Sequence, residues 1–211
     1  VEQIHEKQEQ WVRTAKALKE MGFKAVELNS AGFNMPAHFI SRFHNKRTDE
    51  YGVGSIENRA RFVTEWVQRV KEECGEDFIV QILMDAIEDN DNIANNPTIM
   101  TLDKEVTVPH TQVNTLEDGI ALAQCFEKAG VDSMHLRIGP LGHHVAQFAG
   151  DLYFILNGIE GANGFGMQYD FDRHWQGQII GDTQGAGMLL NVAAQYKAAL
   201  NIPCGAVTYM D

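Results

Sequence analysis

Apolar positions recur at helical spacing in four stretches of the chain, and each stretch is followed by a short apolar run of strand length. In the first, Ile4, Trp11, Val12, Ala15, Leu18 and Met21 predict a helix closed by Gly22, with a strand over Lys24 to Leu28. In the second, Ile56 to Cys74 places Phe62, Val63, Trp66, Val67 and Val70 on one face and stops at Gly75. Phe78 to Leu83 follows as a nearly continuous apolar run, the signature of a strand covered on both faces. The third stretch, residues 115 to 129, turns Leu116, Ile120, Leu122, Ala123, Phe126 and Ala129 inward before Gly130 and a strand over Val131 to Ile138. The fourth pairs a helix over Gly187 to Leu200 with a strand over Pro203 to Thr208.

Helices alternating with strands imply parallel strands joined by helical crossovers, an α/β fold. A doubly wound sheet gives the same order. The chain's excess length, however, falls in segments after strands, at residues 29 to 54, 84 to 114 and 139 to 185. That favours a (β/α)8 TIM barrel, whose site-bearing loops follow its strands, with this chain supplying about four consecutive β/α units. Residues 90 to 114, rich in Asn, Thr and Asp, are a candidate lid.

Charge narrows the partners. The 211 residues carry 29 acidic against 17 basic side chains, a formal net charge of −12, which repels phosphate backbones and argues against nucleic acid. No run of eighteen apolar residues predicts a membrane span, and no basic segment followed by an apolar one predicts a signal peptide. Cys74, Cys125 and Cys204 are few, odd in number and scattered, which fits a reducing cytoplasm better than a disulfide framework. The chain starts without Met, inside a helical pattern, and stops at Asp211 just past a strand. The expectation is a partial barrel domain over 1 to 211, the rest of the barrel lying in a longer protein.

The segment from Asn45 to Phe62 (NKRTDEYGVGSIENRARF) is the least attributable to composition. Arg47, Asp49, Glu50, Arg59 and Arg61 are spaced to pair with one another, and Ser55 with Asn58 can cap a helix start. The segment resembles the signature Asn-x-Arg-x-Asp-x-Tyr/Trp-Gly-Gly-Ser-x-x-Asn-Arg of the old yellow enzyme family of flavin-dependent reductases. The match covers Asn45, Arg47, Asp49, Tyr51, Gly52, Gly54, Ser55, Asn58 and Arg59, with Val53 inserted. Gly22 to Leu28 is similar to the strand that precedes that family's substrate-binding residues. The resemblance is strongest to the 2,4-dienoyl-CoA reductase branch.

It implies FMN at the C-terminal mouth of the barrel, NADH or NADPH as reductant, and hydride transfer to an activated C=C bond of a small-molecule substrate. In longer relatives a [4Fe-4S] cluster and an FAD domain follow the barrel. The family's usual His, its Asn or His three positions on, and its Tyr two positions later fall on Asn29, Gly32 and Asn34. None of the three matches: Asn29 can donate one hydrogen bond, Gly32 offers no side chain, and the Asn34 amide cannot stand in for a phenol as proton donor.

Gln81 falls where the family places an Arg beside the flavin, and reads either as a cofactor contact or as a core amide. His143 and His144, just past the third strand, suit proton transfer near neutral pH. Arg137 can hold a carboxylate or a flavin oxygen, or pair with Asp132 or Asp85. The candidates are therefore His143, His144 and Asn34 as catalytic, Asn29, Gly32 and Arg137 as substrate-binding, and Gln81 as cofactor-binding. Tyr153, Phe154, Phe165, Tyr169, Phe171 and Trp175 could wall a pocket for a flat aromatic or polycyclic substrate, or form a private core. The replaced anchors also admit an inert barrel acting as a partner subunit, or a flavoenzyme with another reaction such as demethylation. Homo-oligomerisation stays open.

Overall fold

In the computed structural model, residues 1–32, 34–88, 113–137 and 189–207 are described. Their elements are α1 (Glu2–Glu20), β1 (Ala25–Ser30), α2 (Met35–Ile40), α3 (Ile56–Cys74), β2 (Ile79–Asp85), α4 (Leu116–Lys128), β3 (Ser133–Arg137), α5 (Leu190–Ala199) and β4 (Cys204–Ala206). The four strands form one sheet in the order β1-β2-β3-β4, and every neighbouring pair is parallel. Sequential order decides between the two architectures. A doubly wound sheet reverses its strand order at a switch point, whereas an arc of a barrel simply counts upward. Right-handed crossovers then place the connecting helices on one side of the sheet.

That side is the core. Val80, Ile82 and Met84 of β2 and Met134 and Leu136 of β3 are fully buried, packed in one cluster with Val63, Val67 and Val70 of α3, Leu122 and Phe126 of α4, and Tyr196 of α5. Each such aliphatic side chain removed from water contributes about 2 kcal/mol before the entropic cost of ordering it. The alternate residues face the other way: Glu27 and Asn29, Gln81, Leu83 and Asp85, and Ser133, His135 and Arg137. Most of these are half-buried or exposed. Apart from Ile79 and Leu83 of β2, this face carries polar residues at period two from Glu27 onward, which a sheet covered on both sides by apolar layers would not show.

Three boundaries differ from expectation, and each bears on the site. β1 runs on through Asn29 and Ser30, because both continue the ladder opposite Leu83 and Met84. β2 extends to Asp85, which pairs with Arg137 of β3. The stretch expected as loop over 29 to 54 contains α2, opened by Pro at its start.

The signature segment is structural, though its pairing differs from expectation. Asn45 is buried and donates to the carbonyls of Phe39 (2.7 Å) and Tyr51 (2.8 Å), which shapes the turn. Arg47 pairs with Asp49, and Ser55 caps α3 by accepting from Asn58 N–H at 3.1 Å. Arg59 does not join that group. Its buried guanidinium reaches Asp118 (2.8 Å), Asn114 and the Ile40 carbonyl (3.2 Å). Asp118 in turn completes a capping box with Thr115 at the start of α4 and accepts from Arg42 at 2.9 Å. Arg61 donates to the Glu50 carbonyl at 2.8 Å. The segment thus locks α2 and the first turns of α3 and α4 together, beside the ends of β1 and β2.

Candidate functional site

The C-terminal ends of β1, β2 and β3 are joined by one carboxylate. Asp85, last residue of β2 and buried, accepts from Gly32 N–H at 2.6 Å through Oδ2 and from Arg137 Nε at 2.7 Å through Oδ1. Burial pushes its pKa up to about 6, against the pull of Arg137 and the Gly32 amide. Gly32 has φ +63°, a left-handed conformation that costs other residues about 1 kcal/mol or more. A Cβ there would also stand 2.9 Å from Arg137 Nη2. That nitrogen is buried and has no hydrogen-bond partner among the described residues.

Deeper along the same face, the polar groups satisfy one another. Gln81 Nε2 donates to Ser133 Oγ at 3.0 Å, and His135 Nδ1 lies 2.8 Å from Glu27 Oε2. Asn29 shares this face one step nearer the mouth, opposite Leu83, and its Oδ1 accepts from Ala31 N–H at 3.1 Å. Asn34 stands at the N-terminus of α2, its Nδ2 donating to the Ala31 carbonyl at 2.9 Å. The structure therefore brings Asn29, Gly32, Gln81 and Arg137 to one face of three adjacent strands, and turns the Asn34 side chain back onto the backbone. His143 and His144 lie outside the described residues, as do most of the candidate lid at 90 to 114 and the aromatic cluster at 153 to 175.

Comparison with known proteins decides what this scaffold is. Residues 1–145 match the NADH:flavin oxidoreductase / NADH oxidase family. The chain belongs to that family. A cinnamate reductase from Clostridium sporogenes is 42% identical over 83 residues, which is 38% of this chain and 12% of that protein. An NADH oxidase from Thermoanaerobacter brockii is 31% identical over 139 residues, 66% of this chain and 18% of that one. The structure of an old yellow enzyme homologue from Zymomonas mobilis superposes with a TM-score of 0.51 at 17% identity, covering 98% of this chain and 48% of that chain. The chain thus spans less than a fifth of the length of the two sequence relatives. The fold of this flavin oxidoreductase family member is an arc of about four β/α units of the barrel, and its polar face is the barrel interior.

Asp85 is the residue that sequence reasoning missed as a site residue, although it was one of two acceptors open to Arg137. The other, Asp132, is taken at the opposite end of the strands by Lys71 Nζ (2.8 Å) and Val80 N–H (2.7 Å). One signal was present: Asp85 stands two and four residues beyond Leu83 and Gln81, so a strand lengthened by two residues puts it on the polar face at the mouth.

Proposed function

We propose that this chain forms part of an FMN-dependent oxidoreductase of the ene-reductase type. Hydride from NADH or NADPH reaches an activated C=C bond of a small substrate at the C-terminal mouth of the barrel. In balance, NAD(P)H, a proton and the alkene give NAD(P)+ and the saturated product. The reading is carried by the gathering of Gly32, Asp85 and Arg137 at the ends of three adjacent barrel strands, in a chain of a flavin oxidoreductase family. The similarity to a cinnamate reductase supports C=C reduction in particular.

The residues present fit a flavin. Gln81, half-buried in the barrel interior, spends one amide hydrogen on Ser133 and retains the other, with its carbonyl, for the edge of a ring. FMN would supply the two-electron relay between nicotinamide and alkene. Around it, Asn29 offers its amide to a substrate oxygen, and Arg137 offers a cation. The Asn34 amide does not titrate, so the proton for the second carbon comes from His143, His144 or water.

A second reading, a barrel that keeps the scaffold without the chemistry, draws support from Asn34 Nδ2 and Gln81 Nε2 being engaged inside the fold. The visible spectrum of the full-length protein separates the two. Bound flavin that bleaches with NADH or NADPH and recovers on adding an alkene acceptor supports the reductase. A folded, colourless protein that takes up no FMN removes it.

A further inference from the structure

Arg137 carries five N–H donors, and among the described residues Asp85 is its one hydrogen-bond acceptor. Its Nη2 is buried against Gly32 and has no acceptor among the described residues. Such a donor is expensive to leave unmade, and native folds rarely do so without a use for it. The surroundings are built to hold it in place. Asp85 fixes Nε from below, and the same carboxylate ties Gly32 beneath the guanidinium. Any side chain at position 32 would collide with Nη2. Of the other polar groups described on this face, Glu27 pairs with His135 and Gln81 with Ser133, while Asn29, which accepts from Ala31 N–H, is uncharged. Arg137 is therefore a positioned cation with spare donors at the rim of the barrel interior.

We propose that Arg137 is the anchor for a carboxylate on the substrate, so that the mouth takes an α,β-unsaturated carboxylate rather than a neutral enone or enal. This rests on the reductase reading above. The anion could instead belong to the flavin, but position argues for the substrate. Gln81, the amide facing the ring in that reading, lies four residues before Asp85 on β2, about 13 Å lower along the strand. A cation at the rim meets what enters from outside. It also suits the chemistry. As hydride forms the C–H bond at the β-carbon, the π pair moves onto the α-carbon and the carboxylate until a proton closes the α-carbon. A guanidinium on the carboxylate oxygens stabilises that added charge.

Binding tests this without turnover, on the full-length protein with its cofactor. The probes are two saturated carboxylates, 3-phenylpropanoate and butanoate, each against its neutral amide, titrated by calorimetry at pH 7. The wild type is expected to bind at least one carboxylate tighter than its amide. Arg137→Met is expected to weaken that carboxylate by about 50-fold with the amide and FMN affinity little changed, and Arg137→Lys to recover part of the loss. Carboxylates bound no tighter than amides, or neither bound, overturn the proposal, and this holds even if Arg137→Met fails to fold. Loss of FMN affinity in Arg137→Met overturns it in favour of a flavin contact. A colourless protein that still discriminates carboxylate from amide would sink the reductase reading while leaving the anion site standing.

Discussion

The hydroxyl of Tyr196 on α5 donates to the carbonyl of Ala86, 2.6 Å away, past the flank of α4 at Gly119. Ala86 directly follows β2, and its own N–H donates to the Arg137 carbonyl at 2.7 Å, so the tyrosine steadies the backbone that carries Asp85. A Cβ at position 119 would lie 2.0 Å from the Tyr196 oxygen and 2.5 Å from the Ala86 oxygen. Helix propensity alone favours Ala over Gly by about 1 kcal/mol. Here overpacking wins, and Gly119→Ala is expected to destabilise by about 2 kcal/mol in urea denaturation. Tyr196→Phe should cost about 1 kcal/mol through the orphaned carbonyl. Combined with Gly119→Ala it should recover part of that variant's loss, giving a non-additive cycle. A Gly119→Ala protein more stable than wild type would contradict the packing described.

Two arginines of one signature segment are expected to behave differently. Arg59 has a side chain 4% exposed and forks between Asp118, Asn114 and the Ile40 carbonyl. A lysine cannot span those acceptors, so Arg59→Lys is expected to cost about 3 kcal/mol, with most of the damage in the uncompensated buried groups. Arg47, 39% exposed and paired with Asp49, lies in the range where ion pairs contribute little, and Arg47→Ala should cost less than about 1 kcal/mol. Equal losses in the two variants would refute the division into a buried clamp and a surface pair.

The contrast shows what spacing conveys. Helices α1, α3 and α4 and the strands after them were legible because an apolar face at period 3.6 and a short apolar run each report burial directly. Their order allowed two architectures, and strand order in the sheet chose the barrel arc. What spacing could not convey was partner choice. Arg59, Arg61 and Asp49 are near in sequence, so local pairing was the natural expectation. Arg59 instead pairs 59 residues away, because helix α4 brings Asp118 against the start of α3.

The site was legible in part for the same reason. Asn29, Gly32, Gln81 and Arg137 are found through resemblance and strand ends, and all four gather on one face. Asp85 escaped because a charged residue after an apolar run looks like the exit of a strand. Its place inside the barrel depends on a ladder to β3 and on an arginine partner 52 residues on. The helix α2 escaped because its six residues are too few to establish a period.

Glu88 supplies a pH dependence with a definite sign. It is buried, accepting from Asn114 N–H at 2.8 Å. Burial pushes its pKa up to about 7, with Asn114 and Ser41 pulling down, Asp85 pushing further up and Arg59 opposing. In an unfolded chain a glutamate titrates near 4.3. Between about pH 4.3 and pH 7 the folded protein therefore holds a proton that the unfolded chain has released, and stability falls as pH rises across that window. Asp85, raised to about 6, adds the same sign over a lower window. Asp118 acts oppositely. Burial would raise it, but Arg42, the Thr115 backbone and Arg59 together hold it below the usual range, so its contribution is lost only as pH drops through that lowered value. Glu88→Gln removes the titrating proton while keeping an oxygen for Asn114. Relative to wild type, the variant should gain up to about 3 kcal/mol between pH 5 and pH 8 in chemical denaturation. A difference from wild type that is the same at both pH values would show that Glu88 ionises normally in the folded protein.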